Sequence, residues 1–291
     1  MQARNQKRIR SEWIEGIIKN FTRHSKENSL RNEDGEKAWS EPVVGFSKGD
    51  DMLYDTLKSD IGLFYWTPVE IFTKTFSDAN ISTDQLSVIS WILPQTERTK
   101  GDHRKQTVYP SERWVRARLF GEDFNNRLRR HVVETLRASG YAAVAPMLSP
   151  FWKRSISEAY GFASNWSERH TAYVCGLGTF GLSDGLITPL GKAIRCGSVV
   201  ARISVEPTKR PYRDHQTYCL FHSYGTCKKC IDRCPVGAIT ENGHDKLKCK
   251  NYLRQVMAPY VENQFGLKGH CCGLCQTAVP CESRIPGEEE G

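Results

Sequence analysis

The sequence predicts a mixed α+β protein, an α/β domain followed by a smaller cysteine-rich domain. Three observations carry this reading. Strand-like apolar runs alternate with helical periodicity over about the first 200 residues, the pattern of a layered core. Ten of the eleven cysteines lie from Cys196 to Cys281, and nine of those follow residue 218. Between the two regions runs "EPTKRPYRDH", Glu206 to His215, a charged stretch suited to a boundary, which divides the chain into 1–208 and 209–291. A length of 291 residues suffices for one large or two ordinary domains.

The elements follow in order. Trp13, Ile14, Ile17, Ile18 and Phe21 fall at helical spacing, so residues 1–25 read as a helix. Residues 26–50 are polar and glycine-containing and read as a loop. "LSVISWIL", Leu86 to Leu93, is a buried strand stopped by Pro94, and the polar residues 95–110 read as a flexible loop. Ser111 opens a long helix with Phe124, Leu128, Val132 and Leu136 on one face, closed by Ser139-Gly140. Within it "RLRRHVVETLR" presents a basic outer face. "YAAVAPML" and "CGSVVARISV" are the next strands. The tail "GEEEG" reads as disordered or truncated.

Composition narrows the classes. Apolar content of 39% and charged content of 25% describe a soluble globular chain. No run approaches the ~20 apolar residues of a membrane span, and the basic N-terminus lacks the apolar core of an export signal. The expectation is a cytoplasmic protein without a membrane partner, in which thiols stay reduced and clustered cysteines point to metal. The net charge of +8 fits an acidic redox partner, a nucleic acid, or simply a solvated basic surface.

"TCKKCIDRCPVGAI" holds Cys227, Cys230 and Cys234 as C-x2-C-x3-C-P. Two-cluster bacterial ferredoxins use C-x2-C-x2-C-x3-C-P, the last Cys serving the other cluster. Tyr224 stands where the first cysteine of that run would be, so Cys219 is the candidate replacement. Downstream lie Cys249 in "DKLKCKNYL" and Cys271, Cys272, Cys275 and Cys281 in "HCCGLCQTAVPCE". Sorted in the two-cluster manner, one [4Fe–4S] cluster takes Cys219, Cys227, Cys230 and Cys281, and the other takes Cys234, Cys249, Cys272 and Cys275. Cys175, Cys196 and Cys271 are left over, with Cys271 the alternative to Cys219. Two structural zinc sites would use the same C-x2-C pairs but have no need of the Pro-x-Gly-Ala-Ile continuation.

Upstream, "YVCGLGTFGLSDGLITPLGKAIRCGSVV" contains Gly176, Gly178 and Gly181 as G-x-G-x-x-G. No acidic residue follows at the end of a second strand, so a dinucleotide site is the weaker reading. Gly185 and Gly191 prolong the series, with the hydroxyl of Ser183 before Gly185 and that of Thr188 between the two. Two readings remain, a loop that brings backbone close to a large flat cofactor and a structural turn.

These segments, with "DKLKCKNYL" and "CGLCQ", resemble the epoxyqueuosine reductases, relatives of the reductive dehalogenases, over roughly residues 80 to 282. The resemblance implies a nitroreductase-like α/β domain that binds base-off cobalamin and a ferredoxin-like domain with two [4Fe–4S] clusters that reduces it. It implies an external donor such as a ferredoxin or flavodoxin, with tRNA as a partner. Cys249 matches the family's lone cysteine, and the loop from Gly176 to Gly191 would touch the corrinoid. The sequence has no D-x-H-x-x-G motif, consistent with the family's binding mode without a histidine axial ligand. The family's proton-donating Asp, about a dozen residues before the loop, has no counterpart in "AYGFASNWSERHTAYVCG". Glu158, Tyr160, Glu168, His170 and Tyr173 are the nearby proton carriers. Two functions compete: a cobalamin-dependent iron–sulfur reductase, and a ferredoxin-like electron carrier without substrate chemistry of its own.

Overall fold

The computed structural model describes residues 2–77 and 81–287, so the expectation for the acidic tail lies outside the described residues. The chain begins with α1 (Gln2–His24), β1 (Val43–Lys48), α2 (Leu53–Ile61), α3 (Pro68–Thr75) and β2 (Ser87–Pro94). Next come α4 (Glu97–Arg104), α5 (Glu112–Ala138), β3 (Ala143–Val144) and the hairpin β4 (Arg154–Ser157)–β5 (Gly161–Ser164). α6 (Glu168–Val174), β6 (Thr179–Phe180), β7 (Leu186–Ile187) and β8 (Ile194–Ala201) complete the first part. The cysteine-rich part has α7 (Leu220–Tyr224), α8 (Lys229–Asp232), β9 (Ile239–Thr240), β10 (Gly243–His244), α9 (Lys246–Tyr252) and α10 (Ala258–Phe265). A π-turn at Leu253–Met257 joins the last two helices, just ahead of Pro259, which lacks a backbone N–H to continue the α ladder.

One sheet, ordered β1-β2-β8-β3 and antiparallel at every pairing, organises the first part. All eight residues of β2 are buried, because both faces of this central strand are covered. Alternation sends Ile89, Trp91 and Leu93 to a core shared with α1 and α5, while Val88 and Ile92 face a second core under α3 and α6. The long helix α5 buries Phe124, Leu128, Val132 and Leu136 on the face the sequence indicates.

Four local expectations are corrected. Residues 26–50 hold β1, whose Val43–Lys48 register pairs with Ile92–Ser87; Gly45 and Ser47 interrupt its apolar run and hide it from pattern reading. Residues 95–110 hold α4, capped by Thr96, whose hydroxyl accepts from Thr99 N at 3.3 Å. That helix buries only Thr99 and His103, so it has no apolar stripe to read. "YAAVAPML" gives only the two-residue β3 before Pro146 starts a 3₁₀ turn. On α5 Arg129 points inward, 1% exposed, rather than joining the basic outer face.

Beyond β8 the chain returns along the sheet edge. Phe46 and Thr208 exchange hydrogen bonds, Phe46 N to Thr208 Oγ1 and Thr208 N to Phe46 O, each 2.9 Å. Arg210 then pairs with Asp51 at 2.7 Å.

A Cβ at Gly197 would stand 2.4 Å from the Trp91 ring, which is fully buried and tethered through its Nε1 to Asn125 Oδ1 at 2.9 Å. Gly197→Ala is therefore expected to destabilise the fold by about 1–3 kcal/mol, read as a lower urea midpoint. An unchanged midpoint would mean that the indole moves freely.

Candidate functional site

Cys219, Cys227, Cys230 and Cys281 line one pocket, together with Gly181, Leu182, Ile187 and Lys192 from the glycine-rich segment. Cys219 precedes α7 and Cys230 lies within α8, so two short helical turns bring the first three thiols round. Cys281 arrives from the chain's end. Its carbonyl accepts from Lys192 N at 2.9 Å, and the carbonyl of Glu282 accepts from Ala193 N at 3.2 Å.

The other four cysteines are electrostatic neighbours of one another. Cys249, on α9, has Cys275 and Cys234 beside it, and Cys272 has Cys275 and Cys249. Cys230 of the first group also feels Cys275 of the second, so the two groups adjoin. Burial pushes the thiols of Cys230 and Cys249 up to about 11 and that of Cys272 up to about 12, with neighbouring thiols adding to the effect. A bound cation would reverse that preference and hold them as thiolates. Among the described residues no three His, Cys, Asp or Glu side chains converge as a set for a single metal ion. Of the leftover cysteines, Cys271 adjoins Cys272, while Cys175 and Cys196 lie apart in the core. Cys271 is buried with Trp114, Val115 and Ala193, Cys196 lies in the core under α6, and Cys175 lies against Ser47 Oγ at 3.5 Å.

The glycines of the loop are occupied by the chain itself. A Cβ at Gly176 would lie 2.8 Å from Lys209 O, at Gly178 2.2 Å from Ile187 O, and at Gly191 2.1 Å from Glu282 O. Gly181 faces the Ile187 side chain, and Gly185 packs on the stem of Lys192. Thr188 Oγ1 closes the turn by donating to Gly191 O at 2.7 Å, and Ser183 Oγ accepts from Lys192 Nζ at 3.3 Å. These contacts use the glycines for close approach between strands of the same protein. At Gly176, Gly178 and Gly191 the Cβ direction is filled by the carbonyls of Lys209, Ile187 and Glu282.

The proton-carrier candidates do not converge. Tyr160 sits exposed on the β4–β5 hairpin, where its carbonyl accepts from Lys246 Nζ at 3.0 Å. Glu168 pairs with Arg129 at 3.0 Å, and burial raises its carboxyl to about 6 against the pull of that guanidinium. His170 and Tyr173 flank Phe180, with ring centroids 4.8 and 6.1 Å away, and Nδ1 of His170 lies 2.8 Å from Ser167 Oγ. Glu158 is exposed in the hairpin turn.

No family model matches the chain. Among curated proteins, the epoxyqueuosine reductase of Bacillus cereus is 32% identical over 119 residues, 39% of this chain and 29% of that protein. The enzyme of the same name from Staphylococcus aureus is 31% identical over 130 residues, 43% of this chain and 32% of its own. The chain is similar to the epoxyqueuosine reductases. The matched stretches span about a third of those relatives' length. Among solved structures, an epoxyqueuosine reductase with an epoxyqueuosine-modified tRNA stem loop aligns at a TM-score of 0.44 and 18% identity, covering 84% of this chain and 63% of that one. A catabolic reductive dehalogenase aligns at 0.49 and 16%, covering 94% and 37%.

Against the epoxyqueuosine reductase pattern, three features of this site escape sequence reading. Arg129 bridges Glu122 and Glu168 at 3.0 Å each, and Arg195 reaches Glu122 at 3.0 Å, a charged network buried between α5, α6 and β8. Its one sequence signal is the position of Arg129 four residues after Asn125, on the buried face of α5. Arg233, one residue before Cys234, donates to the carbonyls of Gln106 (2.6 Å), Leu274 (3.2 Å) and Thr277 (3.1 Å), tying the two cysteine segments together. Lys192 is buried beside the thiols and carries no motif.

Burial, with Arg169 and Lys246 nearby, pulls the imidazole of His170 down to about 3. The unfolded chain binds that proton near pH 6.5. The depressed folded-state value means that the stability from this ring is present above pH 6.5 and lost as pH falls toward 3. Between pH 7 and 5 the protein should lose about 1–2 kcal/mol through this residue, and His170→Gln should remove that part of the slope in urea titrations at the two pH values. An unchanged slope would count against a buried neutral ring.

Proposed function

We propose that the chain is an iron–sulfur reductase resembling epoxyqueuosine reductase, holding two [4Fe–4S] clusters in the sorting read from the sequence. The observation that carries this is the pocket lined by Cys219, Cys227, Cys230 and Cys281 beside the remaining four cysteines. The donor set fits such a group. Thiols ring an apolar pocket walled by Leu182, Ile187 and Val279, and residues of the second set adjoin it. Bound clusters would supply one-electron transfer, taken from an external low-potential donor such as a ferredoxin or flavodoxin. The chain's own residues hold the thiolates, exclude water and shield the charge. In this reading residues 1–208 form the α/β, cobalamin-binding part, and 209–291 the two-cluster part. A tRNA substrate and a cytoplasmic setting follow from the similarity to epoxyqueuosine reductases.

A corrinoid belongs to the same proposal through the family resemblance. The residues proposed to touch it are those of the loop, Gly176, Gly178, Gly181, Ser183, Gly185, Thr188 and Gly191. The absence of the family's proton-donating Asp favours a second reading, a ferredoxin-like electron carrier without substrate chemistry of its own.

Anaerobic reconstitution should give about eight iron and eight acid-labile sulfide per chain. Cys227→Ser or Cys275→Ser should each lose about half of the iron, whereas the Ser variants of Cys175, Cys196 and Cys271 should keep all of it. Two zinc ions without sulfide would end the cluster reading. Retention of iron by Cys219→Ser together with loss in Cys271→Ser would exchange those two ligands.

Titration of iron-replete protein with cob(II)alamin, followed by EPR, separates the two functions. A base-off signal at micromolar concentrations supports the reductase, and no binding supports the carrier.

A further inference from the structure

Lys192 is 3% exposed, yet among the described residues its ammonium has no carboxylate partner. Its stem packs on Gly185, and its Nζ donates to Ser183 Oγ at 3.3 Å and to the side chain of Cys281. The charged or ionisable groups facing it are the thiols of Cys281, Cys275 and Cys230. Two of these belong to the first cysteine set and one to the second, so the ammonium stands where the sets adjoin. Burying an unpaired ammonium is costly, and one hydroxyl does not offset that cost. Neutral thiols would not offset it either. Thiolates bound to iron, on a cluster of net negative charge, would.

We propose that Lys192 is the shared counter-charge of both cysteine sets and holds the reduction potentials of their clusters above the values the same thiolates would give alone. The inference rests on the iron–sulfur reading above and goes beyond it by naming the residue that sets the potentials. When an external one-electron donor is oxidised, a cluster gains one electron and one unit of negative charge. No bond is made or broken at Lys192, and no proton moves. The ammonium stabilises the more negative reduced form of either cluster, so its removal should make both harder to reduce. Lys192 acts through the clusters as a positioning charge.

The test compares Lys192→Met, Lys192→Gln and Lys192→Arg with wild type after anaerobic reconstitution, by iron and sulfide content and by EPR-monitored redox titration. With full iron in the neutral variants, both midpoints should move to more negative values, while Lys192→Arg stays near wild type. If the neutral variants fail to load iron and Lys192→Arg loads fully, the charge serves cluster assembly rather than the potentials, and the inference is overturned in that form. Full iron with unmoved midpoints in Lys192→Met and Lys192→Gln would overturn it. So would loss of iron in Lys192→Arg as well, since shape rather than charge would then be at stake. Wild-type protein with zinc and no sulfide would instead overturn the cluster reading, an outcome distinguishable from every result on the variants.

Discussion

The short joint at residues 191–193 and 281–282 governs the cysteine site. Two backbone hydrogen bonds, Lys192 N to Cys281 O and Ala193 N to Glu282 O, fasten the end of the chain to the segment leading into β8. They require Gly191, with φ at +77° and no room for a side chain against Glu282 O. Glu282 is in turn held by Arg104 of α4 at 2.6 Å and by the N–H of Ala278 at 2.6 Å. Through this joint the rigid central strand positions Cys281 against three thiols that precede it by more than 50 residues. The glycine-rich segment thereby becomes a wall of the cysteine pocket.

Interior cations form the second organising theme. Arg129 is 1% exposed and Lys192 3%, and Arg233 is half-buried under the carbonyls it ties. Part of the basic excess in the sequence is therefore interior charge rather than solvated surface. Each of these cations answers a different need. Arg129 neutralises two partly buried carboxylates, Arg233 satisfies carbonyls left over at turns, and Lys192 faces sulfur. Removing one partner of such a group leaves an uncompensated buried charge, which is why these positions should tolerate exchange poorly. The two cysteine segments and the sheet are thus bound to each other by polar contacts as much as by apolar packing.

Helix and strand positions are legible in the sequence where periodicity is a local property. The α5 stripe through Phe124, Leu128, Val132 and Leu136, the all-buried run of β2, and the C-x2-C-x3-C-P motif are each written within about 30 residues, and local rules report them. The strand β1 and the helix α4 were missed because tertiary partners stabilise them: β1 is secured by its ladder to β2, and α4 by caps and ion pairs without an apolar face.

By itself the sequence determined the element types with strong periodicity, the thiol inventory and the family resemblance. Only the tertiary structure decided which thiols share a pocket, that the glycines are spent on backbone contacts within the chain, and that Arg129 and Lys192 are interior charges. The physical reason is separation along the chain. Gly191 meets Glu282, Gly176 meets Lys209, and Arg129 meets Glu168, contacts between residues tens of positions apart. No periodicity or spacing encodes such pairs, because they exist only once the sheet has brought the segments together.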